Sequence, residues 1–428
     1  MNNTVYDIVG IGIGPFNLGL AALCHPIKEL KTIFFEQKPE FSWHEGIMIP
    51  NTTLQVSYLA DLVTLADPSS KFSYLNFLRD QNRLMQFGIY EHNTITRSEY
   101  NRYCKWVCSK LQNLRFGVKV MNVQFNTDSE TFRIEAGDEC SDPIVCYAKH
   151  IVVGVGTVPR IPEVAKEYLG DNVIHSSQYL DYKRVITESK KIMLVGSGQS
   201  AAEIFYDLLN NSEYNRKNLS WLTRSDHFYS MEHNKLVYEM ASPGYIDYFF
   251  DLDPSVKYLL LSQQGHLYKG INHHLINAIY DKLYNGFIEG GGYCASIRMS
   301  MALDAIIKIN RDLRVTFRHR YLNKKYSEAA DFIILATGYE YQCSSCLLGV
   351  KELFKTDEVN LLVINRNYSI DECEKIFVQN AEMHTHGFNA PDLSLGAYRN
   401  SVIINSICGR QHYPVDQDTT FQRFGLAS

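Results

Sequence analysis

Apolar runs broken by glycine recur along the chain, and each run keeps either a strand or a helix period. Tyr6, Ile8 and Val9 form a short β-forming stretch of the kind found in buried parallel strands, and Leu18, Leu20, Ala21, Ala22 and Leu23 then follow a helical pattern. Gly10, Gly12 and Gly14 stand between the two. Thr32, Ile33, Phe34 and Phe35 make the next apolar run, and Glu36 ends it. Helical spacing returns at 74–79 and at 97–111, where Tyr100, Tyr103, Cys104, Val107 and Leu111 share one side. Alternation over 119–125 and 131–135 predicts a meander ahead of a buried strand that starts near His150 and gives way to glycines and prolines by Pro162.

The device then repeats. Lys191 leads into the apolar run 192–195, Gly196-x-Gly198-x-x-Ala201 follows, and a helical pattern begins, with further strands predicted over 219–224 and 332–335. Between 228 and 293 strand character is lost, and helical pieces such as 276–287 predict a small inserted domain. A tail with Ile376, Phe377 and Val378 between Lys375 and Gln379, and a helix over 396–408, completes the pattern. The fold class expected is α/β, with two Rossmann-like dinucleotide-binding domains and a small, mostly helical insertion on the substrate side. The expected boundaries are 1–175 with 338–428 for the first dinucleotide-binding domain, 176–225 with 296–337 for the second, and 226–295 for the insertion.

A strand, a tight glycine turn and a helix N-terminus in that order meet a pyrophosphate with free backbone N–H groups and the helix dipole. At the first turn Asn17 occupies the third glycine position, and Glu36 lies 24 residues after Gly12, where a carboxylate grips a ribose diol. At the second, the strand following the turn ends in Thr223, Arg224 and Ser225, with Arg224 placed 28 residues after Gly196. An acid there would suit a free 2′-hydroxyl, whereas Arg with hydroxyl neighbours suits a 2′-phosphate, which favours NADPH over NADH.

Composition narrows the classes. With 428 residues, 45% of them hydrophobic and 21% charged, the chain can bury a large core, and a formal charge of −5 gives no electrostatic reason to expect nucleic acid or anionic membrane as a partner. Ten cysteines follow neither a disulfide framework nor metal-ligand spacing, so no metal is expected, and Cys343-Ser-Ser-Cys346 lacks a second pair. No apolar run reaches the roughly 18–20 residues of a membrane span. Asp7, Pro15 and Asn17 spoil any signal-peptide reading of the start, so a cytoplasmic location is expected.

Six stretches taken together resemble the microbial N-hydroxylating monooxygenases, the lysine and ornithine N-monooxygenases of hydroxamate siderophore biosynthesis. They are GIGPFN at 12–17, FSWH at 41–44, LQVSYLADLVTLADPSS at 54–70, GSGQSAAE at 196–203, ATGY at 336–339 and HTHGFNAPDLSL at 384–395. Residues 174–179, with His175, resemble a signature of flavin monooxygenases more generally. The resemblance implies that NADPH reduces FAD, that the reduced flavin takes up O₂ as a hydroperoxide, and that a neutral amine attacks it to give an N-hydroxylamine. It places Gly12, Gly14, Pro15, Phe16, Asn17, Glu36, Trp43, His44 and Gln55 on the flavin side. Gly196, Gly198, Gln199, Ser200 and Arg224, with Thr337, Gly338 and Tyr339, complete the cofactor set. A homo-oligomer, often a tetramer, is the family habit.

One departure bears on the substrate. Family members acting on amino acids carry a Lys where this chain has Ala60, and that ammonium pairs with the substrate α-carboxylate. A buried carboxylate without a partner costs several kcal/mol, so the loss favours an aliphatic diamine, putrescine or cadaverine, over lysine or ornithine. The alternative is a replacement cation, with Arg399 and Lys269 as candidates. Substrate contacts are expected around Ala60, Asn272, Asp392, Leu393 and Ser394, and His384 and His386 are expected to pack or hydrogen-bond instead of binding metal. Two other readings remain at this point: a disulfide reductase using Cys343 and Cys346, and a flavin-binding scaffold without chemistry.

Overall fold

The computed structural model describes residues 4–137, 144–211, 218–232, 234–289, 295–309, 312–415 and 419–426. The first sheet runs Leu114–Phe116, Thr32–Glu36, Val5–Ile11, Ile144–Val153, Thr131–Gly137, Lys119–Asn126. Val5–Ile11 lies parallel to both neighbours, with Ile8 in register with Thr32 and His150. Ile8 and Val9 are fully buried, as a strand covered on both faces requires. The expected meander is present as antiparallel pairing of Lys119–Asn126, Thr131–Gly137 and the first half of Ile144–Val153. The tail returns to this sheet, with Ile376–Val378 pairing parallel to Ile151, Val152 and Val153.

The second sheet is parallel throughout, in the order Ala295–Arg298, Asn218–Leu222, Lys191–Val195, Phe332–Leu335, Val173–His175. A three-stranded antiparallel sheet of Met301–Ile309, Asp312–His319 and Lys325–Ala330 packs against it, placing Val315 and Phe317 in one core with Met193 and Ile333. This sheet is not among the expected elements, although Leu313, Val315 and Phe317 alternate inward along its middle strand; a register shift between Leu303 and Ala305 breaks the alternation only in the first strand. The chain crosses between the two large sheets twice, and the crossings pair side by side as an antiparallel ribbon of Thr157–Pro159 and Tyr339–Tyr341.

The inserted segment is helical, as expected: Lys235–Tyr238, Pro243–Asp251, Pro254–Gln263, Gly265–Tyr268 and His273–Ile288. Asn234, Ser242 and Asn272 cap three of these starts, and Pro243 and Pro254 take first-turn positions where no N–H is needed. His273–Ile288 turns Ile276, Ile279 and Leu283 into the core of the second sheet and leaves Tyr280, Tyr284 and Phe287 exposed. Helix Gly396–Cys408 packs Ile403 and Ile404 against helix Pro15–Cys24, each such burial stabilising by about 1.5–3 kcal/mol.

Candidate active site

Both glycine turns open onto one cleft of about 1500 Å³ between the two units. At the first, Gly12 has φ +86°, and a Cβ there would stand 2.6 Å from the Gly154 carbonyl oxygen. Gly14 precedes helix Pro15–Cys24 without a side-chain cap or an acid in the first turn, which leaves backbone donors for an anion. Glu36 closes the turn by accepting from the N–H groups of Ile13 at 2.8 Å and Lys38 at 3.0 Å. The second turn repeats this backbone: Gly196 has φ +142°, a Cβ there would fall 2.0 Å from the Ala336 carbonyl oxygen, and helix Gln199–Asn210 likewise starts at Gly198 without a side-chain cap. These cradles fit two dinucleotide pyrophosphates.

Of the residues singled out in the sequence, Gly14, Pro15, Phe16, Glu36, Trp43, His44 and Gln55 line the cleft from the first unit. Gly196, Gly198, Gln199, Ser200, Arg224, Thr337, Gly338 and Tyr339 line it from the second unit and the crossing, and Leu393 joins from the tail. Gly12 and Asn17 sit behind the first turn. Asn17 is fully buried, and its amide explains why it replaces a glycine. It donates to the carbonyls of Gly12 at 2.8 Å, Ile11 at 3.2 Å and Val152 at 3.3 Å, and accepts from Gln379 Nε2 at 2.7 Å.

Ala60, Asn272, Asp392 and Ser394 do not line the cleft. Ala60 is buried beside Asp61, whose carboxylate accepts from the backbone of Val63, Thr64 and Tyr74 and from Thr64 Oγ1. Asn272 caps helix His273–Ile288 and donates its own N–H to Gln199 Oε1 at 2.8 Å. Asp392 Oδ1 accepts from both the N–H and the hydroxyl of Ser394, each at 2.8 Å, and burial raises its carboxyl pKa.

The two candidate replacement cations are placed differently. Arg399 is 2% exposed, its Nη2 stands 2.7 Å from Glu382 Oε1, and its guanidinium lies 4.5 Å over the Phe16 ring, so its charge is already met within the protein. Lys269 lines the cleft, but at the second turn: its carbonyl lies against Gly198 and its ammonium 4.8 Å over Tyr268.

His175 is held at the crossing. Its Nε2 donates to the Gly338 carbonyl at 3.1 Å, so Nδ1 carries no proton and accepts from Ser177 N at 3.2 Å; burial pushes the ring down to about 4 and keeps it neutral. Its ring meets Tyr339 edge-on at 5.0 Å, and His44 meets the same Tyr339 ring edge-on at 6.0 Å. His384 bonds the Leu362 carbonyl, and His386 lies between Thr385 and the Arg366 carbonyl, the hydrogen-bonding role expected of them. Among the described residues no group of His, Cys, Asp and Glu could hold a metal ion. Cys343 and Cys346 do not line the cleft, so the disulfide-reductase reading gains no support.

Three cleft-side features escape the sequence reading. Arg160 lines the cleft, and Arg320 donates to the Arg224 carbonyl at 3.2 Å; burial first, and then these two neighbouring guanidinium groups, lower the Arg224 pKa. Ser197 and Ser225 bond at 3.0 Å beside them. Arg97 reaches Glu203 across the two units at 2.8 Å. Their only sequence signal is residue type, since the partners lie far apart in the chain.

A family model described as L-lysine 6-monooxygenase/L-ornithine 5-monooxygenase matches residues 4–341. The chain is 42% identical to a putrescine N-hydroxylase of Shewanella oneidensis over 99% of its own length and 85% of that protein's. It superposes with a TM-score of 0.96, at 40% identity and full coverage of both chains, on the crystal structure of the FAD-bound cadaverine monooxygenase of desferrioxamine biosynthesis from Erwinia amylovora. The structure of a Kutzneria ornithine N-hydroxylase holding reduced FAD, NADP⁺ and L-ornithine follows at 0.88 and 27% identity, over 95% of this chain and 99% of that one. With its two glycine turns facing one cleft, this chain belongs to the L-lysine 6-monooxygenase/L-ornithine 5-monooxygenase family.

Proposed function

We propose that this protein is an FAD- and NADPH-dependent monooxygenase that N-hydroxylates one primary amine of an aliphatic diamine, putrescine or cadaverine, early in hydroxamate siderophore biosynthesis. The observation that carries the diamine reading is the buried Ala60, where the family resemblance leads one to expect a lysine in an amino-acid hydroxylase, together with an Arg399 already ion-paired with Glu382. Of the two candidate cations, Arg399 is already in an ion pair and Lys269 stands at the second turn, so a substrate α-carboxylate gains no dedicated partner beside Ala60, and a diamine brings no carboxylate. Whole-length kinship to a putrescine hydroxylase and a cadaverine monooxygenase supports the same reading.

The first turn would hold FAD, with Glu36 at its ribose, and the second would hold NADPH, with Arg224 at its 2′-phosphate. Bound there, the pair supplies hydride and activates O₂. The chain's own residues do the rest. Gln55, Trp43 and His44 wall the flavin side, Leu393 and Phe16 exclude water, and the neutral His175 fixes the Gly338 carbonyl at the crossing. Asp392, set back from the cleft between the lining residues Pro391 and Leu393, is the carboxylate proposed to meet the diamine's distal ammonium. The reacting amine must arrive neutral, since an ammonium has no lone pair to give.

The crossing ribbon of Thr157–Pro159 and Tyr339–Tyr341 divides the FAD-binding from the NADPH-binding unit, because Val173–His175 already pairs in the second sheet. We place the enzyme in the cytoplasm; among the described residues no helix is long and apolar enough to cross a membrane. The exposed stripe Tyr280, Tyr284 and Phe287, 57–76% exposed, supports a homo-oligomer that covers it with a second copy. The test is hydroxylamine formation alongside NADPH oxidation with putrescine, cadaverine, lysine and ornithine. Product from the diamines alone is expected; product from lysine or ornithine overturns the substrate class.

A further inference from the structure

We infer that Glu203 is a positioning residue that fixes the orientation of the Gln199 side-chain amide, and that Arg97 ties this arrangement to the first unit. Gln199 opens the helix behind the second glycine turn, lines the cleft, and faces Gln55 of the first unit across 144 residues of sequence. An amide can present either end to a neighbour. Here both neighbours dictate which.

Glu203 lies one helical turn after Gln199. Its Oε1 accepts from Gln199 Nε2 at 2.8 Å, and its Oε2 accepts from Arg97 Nη1 at 2.8 Å. An ionised carboxylate only accepts, so the nitrogen end of Gln199 has to face it. The oxygen end then accepts from the Asn272 backbone N–H at 2.8 Å, a group that only donates, and from Gln55 Nε2 at 3.4 Å. A flipped amide would set oxygen against carboxylate and NH₂ against N–H, losing both bonds.

The anchor is a buried ion pair. The side chains of Arg97 and Glu203 are 13% and 3% exposed, burial pushes the Glu203 carboxyl up, and the guanidinium pulls it back. Arg97 begins helix Arg97–Lys110 of the first unit, and its N–H holds the Thr52 carbonyl at 2.9 Å, three residues before Gln55. One carboxylate therefore links the first unit, the second turn and the start of helix His273–Ile288, and Gln199 meets whatever occupies the second cradle in a single orientation.

The test measures NADP⁺ binding to the FAD-loaded protein by calorimetry, with flavin content and thermal stability alongside. Gln199→Leu should weaken binding about tenfold, and Glu203→Gln, whose own amide accepts either orientation of Gln199, about three- to fivefold. The double variant should bind no more weakly than Gln199→Leu alone, because the second change removes what the first acts through. Arg97→Lys should stay within twofold of the parent, and Arg97→Met should match Glu203→Gln. Affinity within twofold of the parent in Glu203→Gln at unchanged flavin content, or full additivity in the double variant, overturns the inference. The probe rests on the NADPH reading, and the two fail separately. A parent that binds NAD⁺ as tightly as NADP⁺ defeats the cofactor preference, and the same variants titrated with NAD⁺ then decide the relay.

Discussion

The two glycine turns share a backbone and differ in charge. Each has a glycine at positive φ pressed against a carbonyl of its own unit, Gly12 on Gly154 and Gly196 on Ala336, and each opens a helix with no side-chain cap. After the first turn the neighbouring strand ends in Glu36, bonded to the turn's own N–H groups; after the second, the strand leads into Arg224, crowded by Arg160 and Arg320. Backbone geometry makes a pyrophosphate cradle, and one side chain on the next strand decides which dinucleotide enters it.

The sharpest way to break the shared part is a methyl group. Gly196→Ala must move the Ala336 carbonyl from a 2.0 Å approach at a φ that L residues rarely adopt, and Gly12→Ala faces the same conflict at 2.6 Å. NADPH KM is expected to rise by at least about a hundredfold in the first, with flavin retained, and flavin content to collapse in the second. Absorbance of the purified proteins and NADPH saturation curves separate the two.

Breaking the difference should cost less. Arg224→Met removes a charge-assisted contact of about 1.5–3 kcal/mol, so NADP⁺ should bind about 10- to 150-fold more weakly while NAD⁺ is unchanged. Arg224→Asp, which makes the second strand end like the first, should invert the preference. Titration of both nucleotides against each variant reads this directly, and equal losses for NADP⁺ and NAD⁺ would falsify the assignment of Arg224 to the 2′-phosphate.

Two smaller effects test what lies between the turns. Because only the neutral amine reacts and its pKa is near 10.4, kcat/KM for the diamine should climb toward tenfold per pH unit between pH 7 and 9. His175, held neutral with its pKa near 4, adds no step to that profile. A flat profile would mean that the protein takes the ammonium and deprotonates it within the site. Ala60→Lys should lower diamine turnover several-fold by placing an ammonium near the substrate's own; unchanged diamine kinetics would remove Ala60 from the argument.

Much of the fold was legible because its signals are local. The apolar runs, the glycines between them and the helix at Gly396–Cys408 are all decided within a few residues of one another. The two glycine turns, Glu36 and Arg224 followed for the same reason, since a Rossmann turn and the end of the next strand lie within 30 residues; Trp43, His44, Gln55 and 337–339 came only from the family resemblance, and 15 of the 17 cofactor residues named line one cleft. The substrate residues did less well. Only Leu393 of the five lines the cleft, since their placement depends on how the tail returns across the first unit.

By itself the sequence determined the α/β class, the two cradles, their opposite charges and the missing lysine at Ala60, each a matter of residue type at short spacing. Tertiary structure alone decided why Asn17 replaces a glycine, through bonds to Val152 and to Gln379, 362 residues away. It also decided that Arg399 is spent on Glu382, and that Arg97 reaches Glu203 over 106 residues. Periodicity records which face of an element is buried. It carries no record of which distant side chain will stand opposite a buried charge, and that pairing sets whether the charge is free to meet a ligand.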